Sequence, residues 1–325
     1  MFKKIFFIIL IFLIAGELLI RIDKKYLFFG ENRVTQISTK LEITPEYKLL
    51  LADSINVHAN NLRIMILGDS YIHGGGIDFK NVFSQQLKSI LQKNSTQFNH
   101  IYVLDLSRAS ANAFDNQQTY YQFAEKFKPQ IVILGYNYDD VLGELDQQIK
   151  KISIDSFGTQ RSSAGAKKTM AKKISGFLYH SALLKYVLTN INTYLKTFGI
   201  VVPNSEFDLN MKSYYLNDSS WIQSKKIIDN MITHIKNNNG RLMVIKFPEI
   251  NLLSYQNLFF KADTAIHAFF QQYPSVTFID GTHIFKGVNS NDYILSRYDG
   301  HINEKGHKKL ADYVAAVIDS MMKAQ

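Results

Sequence analysis

Cysteine is absent from the 325-residue chain, which removes disulfide frameworks, thiolate metal sites and cysteine nucleophiles in one step. The absence fixes no compartment, because a chain with a large core needs no covalent staples. Proline is scarce at 5 residues and glycine modest at 17, so collagen-like and proline-rich classes do not apply. Charged residues reach only 20%, against 46% hydrophobic and 13% aromatic, which argues against a disordered or fibrous chain. Internal repeats and long low-complexity tracts are also missing. The length admits two ordinary domains or one enlarged α/β domain. Lys plus Arg total 37 against 28 acidic residues, a formal charge of +9. The basic residues are scattered, with their densest run at Lys167, Lys168, Lys172 and Lys173. No zinc-finger spacing and no basic region leading into a heptad zipper is present, so nucleic acid is not an expected partner. A membrane surface or an anionic glycan suits the charge better.

The N-terminus carries the longest apolar run. Lys3 and Lys4 precede Ile5 to Gly16; Glu17 interrupts, and Leu18, Leu19 and Ile20 follow before Arg21. As a helix, Ile5 to Ile22 covers about 27 Å, close to the ~30 Å hydrocarbon core, with the flanking cations able to snorkel. A cleaved signal peptide shares the charged start, but no small-x-small cleavage site follows. Residues 1–22 are therefore read as an uncleaved membrane anchor or signal-anchor. Lys3 and Lys4 nearly balance Arg21, Lys24 and Lys25, so orientation stays open. Residues 23–61 read as a polar linker.

From there, short apolar runs alternate with amphipathic stretches. Ile64–Leu67, Ile101–Leu106, Ile131–Leu134, Leu242–Phe247 and Val276–Ile279 have the length and bounding turn residues of buried parallel strands. Between or after them lie helical stripes: Val82, Leu87, Ile90 and Leu91; Tyr120 to Phe127; Ile227, Ile228, Met231, Ile232 and Ile235; and Leu310 to Ile318. The alternation predicts a doubly wound, three-layer α/β/α domain over residues 62–322, with a five-stranded parallel sheet. Residues 142–220 contain no convincing strand and read as a helical insertion between the third and fourth strands.

Two segments carry chemistry. The first strand ends in Gly68-Asp69-Ser70, and ligands of doubly wound sheets bind beyond the carboxyl ends of the strands. A hydroxyl there stands where a nucleophile is useful. The turn into the next helix offers free amides to a developing anion. Near the far end, Tyr298-Asp299-Gly300-His301 precedes Asn303, Glu304, Gly306 and His307. Asp299 and His301 supply, from one loop, the base that a serine requires and the carboxylate that orients it. His73-Gly74-Gly75-Gly76 lacks the Lys-Ser/Thr of a phosphate loop, and the G-x-S-x-G pattern fails at Ile72, so these glycines read as a turn over the site. The other histidines show no metal-ligand spacing. No metal and no cofactor is expected.

Taken together, the strand leading into Gly68-Asp69-Ser70 and the terminal Asp299, His301, Asn303 and Gly306 resemble the SGNH, or GDSL-type, hydrolase superfamily over about residues 62–322. The resemblance implies a flavodoxin-like SGNH fold. It implies Ser70 as nucleophile, His301 as general base and Asp299 as orienting acid, although the acid here stands two rather than three residues before the histidine. It also implies an oxyanion hole built from the Ser70 amide, from Ser110 in the place of the second-block glycine, and from the third block Asn137-Tyr138-Asp139-Asp140. There Asp139 falls at the family's Asn position and Asn137 two residues earlier. A carboxylate at that position would oppose an oxyanion. The anchor followed by this domain is similar to bacterial envelope members acting on polysaccharides. The implied activity is hydrolysis of acyl, most simply O-acetyl, esters on a sugar or envelope polysaccharide by a single-pass protein whose catalytic domain lies outside the cytoplasm. A polysaccharide O-acyltransferase or a catalytically weak glycan-binding protein are the alternatives.

Overall fold

Residues Asn61–Leu67 form strand β1, and every one of them is buried. Its side chains alternate between the two sides of a sheet covered by helices on both faces. Met65 and Leu67 join one core cluster, while Ile64 and Ile66 join the other. Burial on both faces is why the strand reads as a continuous apolar run rather than an alternating one. The same holds for β3 (Ile131–Tyr136). β2 (His100–Asp105), β4 (Arg241–Lys246) and β5 (Thr277–Asp280) complete a five-stranded sheet of order β2-β1-β3-β4-β5. All four pairings are parallel. This computed structural model describes residues 13–16, 18–19, 60–94, 97–141, 215, 219–250, 253, 259–296 and 299–323. The elements from β1 onward fall in one compact unit of residues 34–148 and 210–325.

The helices flanking these strands are α1 (Ser70–His73), α2 (Phe83–Asn94), α3 (Ala113–Phe127), α4 (Ser219–Asn237), α5 (Phe260–Phe270), α6 (Gly281–Ile284) and α7 (Glu304–Lys323), and the four stripes of the sequence fall on α2, α3, α4 and α7. A capping box starts α3, with Asn112 and Asp115 each accepting the other's backbone N–H. Trp221 opens α4 and is buried against Tyr215 and Phe269, a packing role. The strand order reverses between β1 and β3, and it is beyond the carboxyl ends of the strands at such a switch point that doubly wound sheets bind ligands.

The structure departs from the sequence reading in two places. Asp299 and His301 do not lie on a loop. They stand on β7 (Asp299–Ile302), which pairs antiparallel with β6 (Ile294–Ser296) in a small second sheet. Three- and four-residue strands are too short to show a period in sequence. The second correction concerns the membrane. Among the described residues no helix is long and apolar enough to cross a bilayer. The placement as a single-pass envelope protein with an extracytoplasmic domain is overturned by that finding, since a span needs about 20 apolar residues. Apart from 13–16 and 18–19, the proposed anchor at 1–22 lies outside the described residues, as do the linker up to residue 59 and nearly all of the 142–220 insertion.

Gly68 is the joint between β1 and the site. Its φ is 143°, and a Cβ there would sit 2.6 Å from Ile72 Cγ2 and 2.9 Å from the carbonyl oxygen of Gly135 on the neighbouring strand. The backbone oxygen has no freedom to yield. Gly68→Ala is therefore expected to lower the unfolding free energy by about 2–4 kcal/mol through combined strain and overpacking. Urea denaturation checks this; an unchanged midpoint would contradict the close approach.

Candidate active site

The site begins with a local capping event. Asp69 follows Gly68, takes an extended conformation, and accepts the Tyr71 N–H on its side chain at 3.0 Å. That bond turns the chain from β1 into α1 and leaves Ser70 as the first residue of the helix. The Ser70 hydroxyl thereby projects at the carboxyl end of a central strand, while Tyr71 and Ile72 are buried beneath it.

The partner of Ser70 arrives from the far end of the chain. His301 Nε2 lies 2.8 Å from Ser70 Oγ. On its other side, His301 Nδ1 lies 2.6 Å from Asp299 Oδ1, and the same oxygen accepts the His301 backbone N–H at 3.1 Å. The geometry suits Nδ1 as donor to Asp299, and in the neutral ring Nε2 then accepts the Ser70 O–H. The two-residue spacing has a simple cause: on a strand, positions i and i+2 share a face. Asn303 locks the hairpin to α7. Its side-chain oxygen accepts the N–H groups of Lys305 and Gly306, and its amide donates to the carbonyls of Asp292 and Ile294. Gly306 leaves room for this junction, since a Cβ there would meet Ile302 Cβ at 2.8 Å.

The charges are arranged to favour an imidazolium. Burial opposes charge on His301, but the hydrogen bond and charge of Asp299, helped by Asp69 and Glu249, outweigh it and hold the ring above the ordinary histidine value. Asp299 is held below the usual carboxylate range, chiefly by its hydrogen bond to His301 and against the effect of burial.

The residues expected to line an oxyanion hole fall in two loops beside Ser70. The loop after β2 is tied to the Gly68-Asp69-Ser70 turn by a 3.0 Å bond from Arg108 N–H to the Gly68 carbonyl. Within it Ser110 adopts φ 60°, a left-handed conformation that a glycine takes more readily. The loop after β3 behaves differently. The Asn137 side chain is committed elsewhere: its oxygen accepts the Tyr138 N–H at 2.7 Å, and its amide is bonded to Asp69. Asp139 joins Asp69 and Asp140 in a group in which one carboxylate oxygen from each lies within 4.8 Å of the other two. The group is compact enough to hold a cation. Without one, burial and the neighbouring Asp139 charge push Asp69 up to about 7. Burial, with the charges of Asp69 and Asp139, likewise raises Asp140 well above the carboxylate range. Protons shared within the group relieve the like-charge repulsion.

Two neighbours of the triad escaped the sequence reading. Tyr71 packs its ring over His301, with centroids 4.7 Å apart, and donates its hydroxyl to Glu249 from the segment after β4. Tyr71 is adjacent to Ser70 in sequence, which is the one signal that could point to it. Nothing in the sequence marks Glu249, which lies 178 positions from Tyr71. A further polar group sits at the carboxyl ends of β4 and β5. There the fully buried Lys246 meets Asp263 and Asp280, Tyr138 donates to Asp263, and His267 bonds Asp280 at 2.8 Å. Its charges are matched, as burial of a lysine requires.

Comparisons with known proteins add likeness in shape. No protein-family model and no curated protein matches the chain. Among solved structures, a lipase/acylhydrolase from Enterococcus faecalis is 10% identical over 80% of this chain and 96% of its own, with a TM-score of 0.46. A family 3 carbohydrate esterase from Clostridium thermocellum is 14% identical over 81% of this chain and 98% of its own, with a TM-score of 0.43. At these identities the chemistry has to be argued from the geometry above.

One buried group near the site gives a stability test. His307 on α7 accepts the Phe83 N–H at Nδ1, 2.8 Å away. Burial, with smaller contributions from His301 and His73, lowers its pKa to about 3. The unfolded chain takes up this proton near the ordinary value of about 6.5. The stability that His307 contributes is therefore complete above about pH 6.5 and is lost progressively as pH falls toward 3. Asp69, raised in the folded state, acts in the opposite sense, with stability lost as pH climbs from about 4 to about 7. The difference between wild type and His307→Gln isolates the histidine. Urea titrations from pH 7 to pH 4 are expected to show a loss on the order of 1 kcal/mol per pH unit that the variant lacks.

Proposed function

We propose that the chain is a serine esterase that cleaves acyl esters through an acyl-enzyme on Ser70. The observation that carries this reading is the unbroken relay Ser70 Oγ–His301 Nε2 and His301 Nδ1–Asp299 Oδ1, with separations of 2.8 and 2.6 Å. His301 takes the Ser70 proton as Oγ bonds to the ester carbonyl carbon. Asp299 keeps the Nδ1 tautomer and stabilises the imidazolium that results. Collapse of the tetrahedral adduct expels the alkoxide, which leaves with the proton held on Nε2. Water then repeats the sequence on the acyl-enzyme and returns Ser70 to its hydroxyl form.

The oxyanion donors in this reading are the amide of Ser70 at the head of α1 and the amide of Ser110. Asn137 is engaged with Asp69 and Tyr138, which leaves the loop after β3 in an electrostatic role through its carboxylic acids. The acyl group is taken to be carried by a sugar. That substrate class comes from the sequence resemblance alone, in which the N-terminal apolar run followed by this domain is similar to members acting on polysaccharides.

A fluorophosphonate probe is expected to label Ser70, and Ser70→Ala to abolish labelling. Acetylated oligosaccharides are expected to be deacetylated faster than long-chain esters. Absence of labelling in the wild type would end the esterase reading, and a preference for long acyl chains would end the carbohydrate part alone.

The pH profile tests the triad separately. With His301 held above the ordinary imidazole value, kcat/KM is expected to rise with pH as the ring loses its proton. Asp299→Asn is expected to lower kcat by roughly 10²–10⁴-fold and to move the acidic limb to lower pH. A limb that stays in place would remove Asp299 from the relay.

A further inference from the structure

The mechanism above requires His301 to pass through a cationic state, and its two nitrogens are both engaged in the plane of the ring by Ser70 and Asp299. The face of the ring is what remains for stabilising that charge. Tyr71 covers it, with ring centroids 4.7 Å apart and planes inclined at 36°. A cation within about 6 Å of a tyrosine ring is attracted by the ring's negative face.

Tyr71 is fixed at both ends. Its backbone N–H is tied to Asp69, and its hydroxyl donates to the Glu249 carboxylate, 2.9 and 3.0 Å from the two oxygens. Phe247 packs on it from another side, at 5.8 Å between centroids. A phenol whose proton is drawn toward a carboxylate carries a more electron-rich ring than a free one. Burial, and then the charge of Glu249, raise Tyr71 well above the ordinary tyrosine value, so it stays a neutral donor wherever the protein is folded. A purely space-filling residue at this position would need no hydroxyl. A buried hydroxyl set against a carboxylate is an arrangement that packing alone does not call for.

We propose that Tyr71, held by Glu249, is a positioning residue for His301: it fixes the imidazole between Ser70 and Asp299 and stabilises the imidazolium formed during acyl transfer. The kinetic half of this proposal rests on the esterase reading; the electrostatic half does not. The groups that face His301 are Asp299 on β7, Asp69 at the end of β1, Ser70 and Tyr71 on α1, and Glu249 after β4. His307 on α7 also lies near, but it is kept neutral by burial, and His73 on α1 acts on His307.

The experiment uses the full-length chain and three variants, Tyr71→Phe, Tyr71→Leu and Glu249→Gln, each checked for folding by its urea midpoint. The His301 pKa is read by NMR titration of the imidazole carbon-bound protons. kcat and KM are read on a small acetyl ester. Loss of the ring in Tyr71→Leu is expected to lower kcat by between about 2- and 30-fold with KM unchanged, and His301 is expected to titrate lower by about half a pH unit or more. Glu249→Gln is expected to lower the His301 pKa with the ring still in place. Tyr71→Phe, which keeps the ring and the packing, is expected to restore most of the kcat lost in Tyr71→Leu. If Tyr71→Leu does not fold, Tyr71→Met takes its place, and an unchanged His301 pKa in that variant overturns the proposal, since Glu249 also acts on His301 directly by charge. A rise in KM at constant kcat also overturns it, since that marks a substrate contact. Should the wild type turn over no ester and take no probe, the esterase reading fails on its own, and the NMR titrations still decide the Tyr71–His301 coupling.

Discussion

The hydrogen bond from Ser70 to His301 joins residues 231 positions apart, and the proposed chemistry depends on it. It exists because two short local structures end at the same place. One is the Gly68-Asp69 turn that delivers Ser70 from the tip of β1. The other is the β6–β7 hairpin that Asn303 pins to α7. Neither structure is stable by itself. Both adjoin the parallel sheet, whose strand order reverses between β1 and β3. The glycines at 68 and 306 are needed because the chain passes within contact distance of its neighbours at both junctions.

Around that bond the protein concentrates negative charge. Asp299, Asp69 and Glu249 all act to raise His301, and Asp139 and Asp140 crowd against Asp69. Such a field suits a cationic imidazole. Burial and the neighbouring charges raise Asp69 and Asp140, so these two hold their protons more tightly than ordinary carboxyls and soften the repulsion within the group. Nearby, Lys246 shows the complementary solution, a fully buried cation matched by Asp263 and Asp280.

Much of the sheet was legible in the sequence because strands buried on both faces must be apolar throughout. Ile64 to Leu67 and Ile131 to Leu134 could be little else. The long helices were legible for the same reason, their stripes facing one or the other core. The hairpin was not, because three or four residues cannot display a period. Asp299 and His301 were assigned to a loop, although the strand explains their spacing better. Asn137 stands two residues before the family's Asn position, and spacing along the chain gives no sign that its side-chain oxygen accepts the Tyr138 N–H. The apolar N-terminal run was read as an anchor, and among the described residues no helix has the length for one.

What the sequence determined by itself was the chemistry available: a serine after a strand, an acid and a histidine near the end, and no cysteine or metal-binding pattern to compete with them. Residue type and local pattern suffice for that, because capping, alternation and helical periodicity are short-range. The tertiary structure alone decided which groups meet. It placed Tyr71 over the imidazole, brought Glu249 to the Tyr71 hydroxyl, and pressed the aspartates of β1 and of the turn after β3 together. Those relations depend on sheet order and on the angle at which chain segments cross, and neither is written in the spacing of residues along the chain.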